Sequence, residues 1–457
     1  MELLIAELSR YVIIILFAIY TFYCFRAFAR RTQEGKERVF RVQRLLNILI
    51  LLLCGAVLIV ETKKLNYVIL LLAELAFCII FSKIYQIFYK GLSKLVLNNM
   101  MMCLSIGFII LGRLQYEYAL RQMIMASAAM GICLLVPLFI ERFTIWEKLG
   151  WQYALGGILL LLLVFVIGEE HGGAVNWISI GGIELQPSEF VKIIYVFFMA
   201  AMLSRVTGAT VVDGKEKFKS IVVITALAAV HVGAALIYFI TYLVVLYVAT
   251  MQPLYLAAGL GAGAAASVIA YRLFSHVRIR VVAWQDPWGH IAKEGYQVCH
   301  SLFAIGTGGL FGMGLGQGMP STIPVAESDF IFAAISEELG VIFSICLILV
   351  YISSYIMFVN IAMKMKKRFY KLTAFGLSVV FIFQVFLCIG GVTKFITSTG
   401  VTLPLISYGG SSVITTIVIF SIIQGMYVMN GREEVTGIEK PEGAAGRNKD
   451  KRRNAKR

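Results

Sequence analysis

Four carboxylates follow a glycine-dense stretch in the second half of the chain, between residues 296 and 340. They are Glu327, Asp329, Glu337 and Glu338, and they stand at the start of a long apolar run. An ionisable group at membrane depth costs roughly 2.5–3.5 kcal/mol on translocon scales, so its presence points to function. Glycine gives the backbone freedom to approach a ligand closely. The loop and the acids together predict a site for a polar, charged substrate at the outer edge of a bilayer.

Two arginines in the same half of the chain predict an anionic partner. Arg278 and Arg280 lie in a long loop, residues 274–326, which the charge pattern places on the outer side of the membrane. Cations are normally depleted from outer loops, and long structured loops are usually functional. A guanidinium binds phosphate through two parallel hydrogen bonds. The two arginines therefore predict contact either with a phosphate-bearing substrate or with lipid headgroups.

The elements that must position these residues are transmembrane helices. The chain is 59% hydrophobic and 15% charged, which is the composition of a membrane protein. Apolar runs of about 17–25 residues, the length that crosses a bilayer, recur along it. The thirteen candidate spans lie at 10–29, 45–61, 66–83, 98–112, 120–140, 149–167, 188–204, 219–231, 233–250, 254–273, 328–359, 371–391 and 402–429.

Charged residues between the spans predict the topology. Lys and Arg cluster at residues 26–44, 83–94, 205–219 and 364–371. Thirteen spans place all four clusters on one side, and the positive-inside rule makes that side cytoplasmic. The N-terminus is then outside and the C-terminus inside. Much of the net charge of +15 lies in these loops and in the tail, so the charge does not indicate nucleic-acid binding.

Several segments have structural interpretations. The eight cysteines are scattered without a CxxC pair, which predicts neither disulfides nor a metal site. Residues 432–457 are polar and basic, which predicts a disordered cytoplasmic tail attracted to anionic lipids. Ser188 is predicted to cap the helix that follows it. The small residues at 408–412 favour close helix packing.

Three further segments, in a fixed order, resemble the SEDS proteins (shape, elongation, division and sporulation), the FtsW/RodA/SpoVE group. They are WISIGGIELQPSEFVKI at 177–193, GYQ…SLFAIGTGGLFGMGLGQG at 295–318 and TGVTLPLISYGGSS at 399–412. The resemblance implies an all-α polytopic membrane protein. Its ten-span body would occupy residues 98–430, with three extra N-terminal transmembrane helices in residues 1–95 and a long extracellular loop at 274–326.

The family polymerises lipid II, an undecaprenyl-linked disaccharide-pentapeptide, into the glycan strands of the cell wall. The resemblance therefore implies a peptidoglycan glycosyltransferase of the bacterial cell membrane. It would act in division, elongation or sporulation beside a class B penicillin-binding protein. The reaction needs a base for the acceptor hydroxyl, cations for the departing pyrophosphate, and a groove for lipid tails. It implies no certain cofactor and no metal ligands, with a divalent cation such as Mg²⁺ as an option.

The resemblance and the charge pattern together assign residues to the substrate. They are Trp177, Gln186, Glu189, Lys192, Arg278, Arg280, Gln297, Ser301, Glu327, Asp329, Glu338, Lys394 and Ser407. Glu189 and Lys192 are three residues apart, so they share a helix face and are predicted to pair. Glu337 or Glu338 is predicted to face the interior and to pair with a cation such as Lys394 or Lys192.

The loop WQDPWGHIAKEGYQ departs from the family pattern. The family places its catalytic Asp five residues before the Gly-Tyr-Gln, where this chain has His290, while Asp286 keeps the first acidic position. His231 likewise stands where the family has an Asp, and Val175 and Asn176 replace arginines. Asp286 and His290 are therefore the candidate catalytic bases, since a carboxylate or an imidazole suits proton abstraction near neutral pH.

Two classes of function remain open at the level of sequence. The first is a glycosyltransferase that polymerises lipid II. The second is a catalytically degenerate member of the family that acts as a scaffold, a lipid II binder or a flippase. Polymerisation of lipid II by the purified protein separates the two classes.

Overall fold

The computed structural model describes residues 2–143, 145–171, 174–180, 183–208, 221–226 and 236–438. His231 and the basic residues 209–219 lie outside the described residues. The helices are α1 (Glu2–Ala29), α2 (Gln33–Thr62), α3 (Leu65–Phe88), α4 (Lys94–Leu114), α5 (Tyr116–Cys133), α6 (Val136–Arg142), α7 (Gly150–Ile167), α8 (Pro187–Gly208), α9 (Leu236–Thr250), α10 (Pro253–Leu273), α11 (Ser275–Gln285), α12 (Tyr296–Gly308), α13 (Ile331–Lys364), α14 (Arg368–Val392) and α15 (Gly410–Ile438). Three short strands are β1 (Glu169–His171), β2 (Ala174–Ile180) and β3 (Ile183–Leu185).

The predicted membrane spans correspond to these helices. Within the described residues, ten helices are long and apolar enough to cross a membrane. Two shorter apolar helices, Gly150–Val164 and Leu236–Thr250, coincide with the predicted spans 149–167 and 233–250. The predicted span 219–231 is described only at residues 221–226, which are helical. The prediction of an all-α polytopic membrane protein is confirmed.

The C-terminal helix is longer than the sequence predicted. The tail was expected to begin at residue 432, whereas α15 continues to Ile438. Arg432 forms an ion pair with Glu141 at the end of α6, and this contact helps to hold the last turns against the bundle. The remaining tail, residues 439–457, lies outside the described residues.

Helix α4 is the centre of the bundle. Its membrane-crossing portion is entirely buried, and it packs against α2, α3, α5, α13 and α15. Asn99 in α4 accepts a hydrogen bond from Tyr20 of α1 at 3.0 Å and donates to Ser353 of α13 at 2.8 Å. Hydrogen bonds between buried helices stabilise membrane bundles because each polar group needs a partner there. These bonds tie α1 to α4 and α13.

The N-terminal helices also reach the glycine-rich loop at residues 309–319. Arg10 of α1 donates from Nη1 to the carbonyl oxygen of Gly312 at 2.9 Å. Gln317 donates from Nε2 to Oε2 of Glu61, in the last turn of α2, at 3.2 Å. The start of α1, the end of α2 and residues 309–319 therefore share one end of the bundle, which we call the loop end. The opposite end, where Lys36, Lys90, Lys94 and Lys364 meet around one cavity, is the basic end.

The positive-inside rule predicts that the loop end faces outward. A cysteine at Ser321, which is exposed at the loop end, should react with a membrane-impermeant maleimide added to intact spheroplasts. A cysteine at Gly91, exposed in the α3–α4 connection at the basic end, should react only after lysis. The eight natural cysteines are buried, so the background is low. Labelling of Gly91→Cys and protection of Ser321→Cys in intact cells would invert this topology.

Candidate active site

The geometry of the site begins where the small sheet leads into α8. Strand β2 pairs with β3 in antiparallel register, with Ile178 opposite Leu185, and α8 starts two residues later at Pro187. Proline suits the first helical position because its fixed φ is helical and it lacks an N–H that would stay unpaired. The prediction that Ser188 caps this helix is therefore wrong, since Ser188 lies within its first turn. The backbone N–H of Gln186 instead donates to Oγ of Ser411 at 2.8 Å.

Glu189 and Lys192 form the predicted pair one turn into α8. Nζ of Lys192 lies 2.7 Å from Oε2 of Glu189 and 2.8 Å from Oε1 of Gln384 in α14. Thr415 of α15 donates to the same carboxylate at 3.3 Å. Lys192 is only 4% exposed, and a buried ammonium requires such partners. The pair and its partners therefore join helices α8, α14 and α15 beside a cavity.

A cavity of about 630 Å³ opens above this pair. It contains six of the residues that the sequence assigned to the substrate. They are Trp177, Gln186, Glu189, Lys192, Arg280 and Asp329. We call it the main cavity. Its volume falls within the range of known small-molecule sites, roughly 300–1,000 Å³.

A smaller cavity of about 220 Å³ adjoins the main one. Gln297 and Lys394, two more of the assigned residues, line it together with Glu294. Arg280, Asp329 and Gly400 line both cavities. Oε2 of Glu294 is buried without a hydrogen-bond partner among the described residues. Arg280 brings a cation to the shared boundary and Lys394 a second one to the smaller cavity, beside the carboxylates of Asp329 and Glu294.

Asp329 is the carboxylate at this boundary. Burial raises the pKa of its carboxyl group, while a hydrogen bond from Ser328 and the nearby guanidinium of Arg280 oppose the rise. A β-carbon added at Gly400 would lie 3.4 Å from Oδ2 of Asp329 and 3.6 Å from Nη2 of Arg280. The carboxylate and the guanidinium therefore approach the same glycine from the chain segment 328–329 and from α11.

The candidate bases lie at the end of α11, outside both cavities. Oδ1 of Asp286 accepts a hydrogen bond from the N–H of Gly289 at 3.0 Å, and Nδ1 of His290 lies 3.0 Å from the carbonyl oxygen of Asp286. Both side chains are exposed. Asp286 follows Arg280 by six positions, at the C-cap of α11, so the two lie about 9 Å apart along the helix axis at 1.5 Å per residue.

Arg278 points away from the cavities. It is exposed, and its Nη2 donates to the carbonyl oxygen of Arg272 at 3.1 Å. The two arginines that the sequence treated alike thus differ in position, because two residues along a helix turn the side chain to another face. Arg280 alone of the two lines the site.

Three assigned residues hold the walls of the site in place. Ser301 donates to the carbonyl oxygen of Val392 at 2.9 Å and joins α12 to α14. Ser407 donates to the carbonyl oxygen of Ser328 at 2.5 Å. The carbonyl oxygen of Glu327 accepts from the N–H of Tyr408 at 2.7 Å. The last two bonds hold the segment 399–409 beside Asp329. They therefore help to set the position of Asp329.

Glu338 has a different partner from the one predicted. Oε1 of Glu338 lies 2.9 Å from Nε of Arg113, at the end of α4, rather than near Lys394 or Lys192. Nη2 of Arg113 also donates to the carbonyl oxygens of Gly316 and Gly318, at 3.2 and 3.1 Å. Sequence reasoning missed Arg113. Its signal was a lone cation at the loop end of an otherwise apolar helix.

Gly312 and Gly318 lie against Glu337 and Glu338 of α13, whereas Gly316 lies against Glu61 of α2. Helix α13 is broken at Gly340, where φ is +84°, and Gly312 has a φ of +73°. Val341 donates its N–H to the carbonyl oxygen of Gly309 at 2.9 Å, and Met313 donates to that of Glu337 at 2.9 Å. The loop thus pairs with the backbone exposed by the break, which explains its glycine content.

Replacement of Gly340 by alanine should lower the temperature at which this region unfolds. A β-carbon there would lie 2.4 Å from the backbone nitrogen of Gly312, and positive φ costs a non-glycine residue about 1–2 kcal/mol besides. We expect the free energy of unfolding to fall by at least about 2 kcal/mol, read as a lower Tm in detergent. Gly306→Ala in α12, where a β-carbon meets nothing within 4 Å, is the control. Equal Tm values for the two variants would contradict the assignment.

Fold and site define a polytopic membrane protein with a polar, cation-lined cavity near its loop end. The chain matches the family model described as cell cycle protein, FtsW/RodA/SpoVE, over residues 85–430. It is 34% identical over 333 residues to the peptidoglycan glycosyltransferase RodA of Mycobacterium tuberculosis, covering 68% of this chain and 71% of that protein. It is 33% identical over 343 residues to the probable peptidoglycan glycosyltransferase FtsW of Aliivibrio salmonicida, covering 72% and 85%.

Solved structures agree on the fold. One chain of a peptidoglycan synthase complex that coordinates polymerization and crosslinking matches with a TM-score of 0.61 and 22% identity, covering 74% of this chain and 98% of that one. The rod shape determining protein RodA of Thermus thermophilus matches with a TM-score of 0.54 and 23% identity, covering 74% and 97%. The chain belongs to the FtsW/RodA/SpoVE family of cell cycle proteins. Helices α1 and α2 precede the matched region.

Proposed function

We propose that this protein is a peptidoglycan glycosyltransferase that polymerises lipid II into the glycan strands of the cell wall. Its relatives carry that name. The observation that carries the proposal is the smaller cavity, which Lys394 lines together with Arg280 and Asp329, the two residues that also line the main cavity. A diphosphate-linked sugar requires cations of this kind at its leaving group.

In the proposed reaction a base takes the proton of the acceptor hydroxyl. The acceptor oxygen then forms a bond to the anomeric carbon of the donor sugar, and the bond from that carbon to the pyrophosphate oxygen breaks. The lipid pyrophosphate leaves with the electron pair, and Arg280 and Lys394 stabilise its charge. Arg280 donates to the carbonyl oxygen of Ser398 at 3.4 Å, with the carboxylate of Asp329 nearby. We assign the base to the turn that carries Asp286 and His290, about two helical turns from Arg280.

The described residues offer no cluster of ligands for a divalent cation. Among the described residues, no three His, Cys, Asp or Glu side chains stand close enough together to hold a metal ion. The proposed reaction therefore contains no step that depends on a metal ion. The cationic side chains supply the charge that the leaving pyrophosphate needs.

The second candidate function is a scaffold or a lipid II binder without polymerase activity. It is favoured by His290, which takes the catalytic position of the family's Asp and lies with Asp286 outside the main cavity. The cavity would still bind the pyrophosphate of the lipid in that case. Binding and polymerisation therefore need separate assays.

The protein is a multi-pass bacterial membrane protein, and we propose that its N-terminus is outside and its C-terminus in the cytoplasm. We further propose a class B penicillin-binding protein as its partner, since a structural relative belongs to a synthase complex for polymerisation and crosslinking. Residues 1–95 would be dispensable for lipid II binding and would serve partner docking, because the substrate cavities contain none of them.

Purified full-length protein with fluorescent lipid II tests the proposed function. We expect glycan strands, separable by electrophoresis, with a class B penicillin-binding protein from the same genome present. Omission of the partner measures its contribution. The absence of strands with the partner present, under conditions in which a RodA relative produces them, would leave the scaffold as the function. Lipid II retention by the same sample would then show that the cavity still binds.

A further inference from the structure

Lysines from α2, the α3–α4 junction and the end of α13 converge on a second large cavity, at the basic end. Its volume is about 440 Å³, within the range of known ligand sites. The charged residues that line it are Lys36, Glu37, Lys90, Lys94 and Lys364. Four cations face a single carboxylate, so the lining is positive. None of these residues belongs to the substrate site at the loop end.

The single carboxylate is already occupied. Nζ of Lys94 lies 2.6 Å from both oxygens of Glu37. Within the part of the chain that the structure describes, the ammonium groups of Lys36, Lys90 and Lys364 make no ion pair with a carboxylate. Three lysines therefore keep their full charge and their donors for a ligand, each with three N–H groups.

Backbone donors face the same space. Helix α4 begins at Lys94 without a side-chain cap, and residues 92–95 line the cavity. The first N–H groups of a helix have no partner within it and carry the positive end of the helix dipole. The N–H of Ser93 is satisfied by Oε1 of Gln424 at 2.9 Å, so the donors that remain belong to the turn after it. Lysines and helix end reinforce each other as an anion site.

Apolar side chains form much of the remaining lining, beside the polar Gln33, Ser93 and Asn360. Phe28, Phe40, Met357 and Met363 contribute carbon surface beside the lysines, and the cavity lies where the apolar spans end. A ligand that fits both features is an amphiphile with a phosphate headgroup. Basic pockets between transmembrane helices, on the side that the positive-inside rule makes cytoplasmic, bind anionic headgroups in this way.

We propose that the basic cavity binds a phosphate group, supplied in the membrane by the headgroup of an anionic phospholipid. Lys36 lies in the first turn of α2 and Lys364 at the end of α13. The phosphate therefore links the N-terminal helices to the body of the protein from the cytoplasmic end. Its binding stabilises that junction, because a ligand that binds only the folded state raises the free energy of unfolding.

The test uses the purified full chain in neutral detergent, with phosphatidylglycerol titrated and bound lipid counted by native mass spectrometry. The double variant Lys36→Gln and Lys364→Gln should bind about thirtyfold more weakly, from the usual contribution of each lysine near an anionic lipid. Lys36→Arg with Lys364→Arg should keep binding. Lys367→Gln with Lys371→Gln removes the same charge from the same end without touching the cavity, and it should bind as the wild type does.

Equal weakening in the two glutamine pairs, or equal binding of phosphatidylcholine, would overturn the proposal in favour of general surface charge. Single Lys364→Gln, at an exposed position, replaces the double variant if the latter fails to fold. Inorganic phosphate and glycerol 1-phosphate identify the source of the ligand. Displacement of phosphatidylglycerol by either at millimolar concentration, dependent on Lys36 and Lys364, assigns the site to a soluble anion. No displacement assigns it to the lipid.

Discussion

Replacing Arg280 with glutamine is expected to lower the rate of lipid II polymerisation by about 10²–10³-fold, the usual cost of losing one preorganised charge at a reacting centre. Arg280 lies on the boundary of the two cavities beside Asp329. Its guanidinium acts on the leaving pyrophosphate, whose charge grows as the bond to the sugar breaks. The effect should therefore appear mainly in kcat. The measurement is the initial rate of strand formation from fluorescent lipid II over a range of substrate concentrations.

Arg278→Gln is the matched control for this prediction. The two arginines share α11, carry the same charge and are both exposed, but Arg278 lines neither cavity. Its loss should change the rate less than about threefold, as for an exposed charge outside the site. Equal losses in the two variants would mean that the loop acts through its total charge. A fall in lipid II affinity without a fall in kcat would mean that Arg280 only binds the substrate.

The membrane fold was predictable from sequence because its physical basis is local. A span needs about twenty apolar residues, and that property can be read without knowing any neighbour. The pair of Glu189 and Lys192 was predictable for the same reason, since a spacing of three positions on one helix places two side chains next to each other. The start of α8 was not predictable in this way. Residue preferences alone placed the N-cap at Ser188, whereas Pro187 and the sheet before it set where the helix begins.

The partner of Glu338 could not be predicted, since it lies at the end of a helix 225 positions away in the chain. The glycines at 309–318 were expected to approach a ligand, yet the tight contacts of Gly312 and Gly318 are with the broken helix α13. A pattern of glycines indicates a close approach but not what is approached. Likewise, it could be decided which of Arg278 and Arg280 lines the cavities only after the orientation of α11 was known.

The assignment of the base to the turn at Asp286 and His290 is the prediction with the largest expected effect. Loss of a positioned general base costs about 10²–10⁴-fold in rate. Asp286→Ala or His290→Ala should therefore abolish visible glycan strands, while both variants stay folded and retain lipid II in detergent. Both residues are exposed, so their replacement should leave Tm unchanged. His290→Asp restores the carboxylate of the family at this position, and a large gain in rate would identify the natural chain as a weakened enzyme.

The dependence of the rate on pH tests a third candidate for the base, Asp329. A base acts only when it is deprotonated, so the acidic limb of the pH profile reports the group that takes the proton. Burial raises the pKa of Asp329, so a base there would lose activity at a higher pH than an exposed carboxylate would. If both alanine variants polymerise at the wild-type rate, the turn is not the source of the base. The loss of the acidic limb in Asp329→Asn would then move that role to Asp329, the remaining carboxylate beside Arg280.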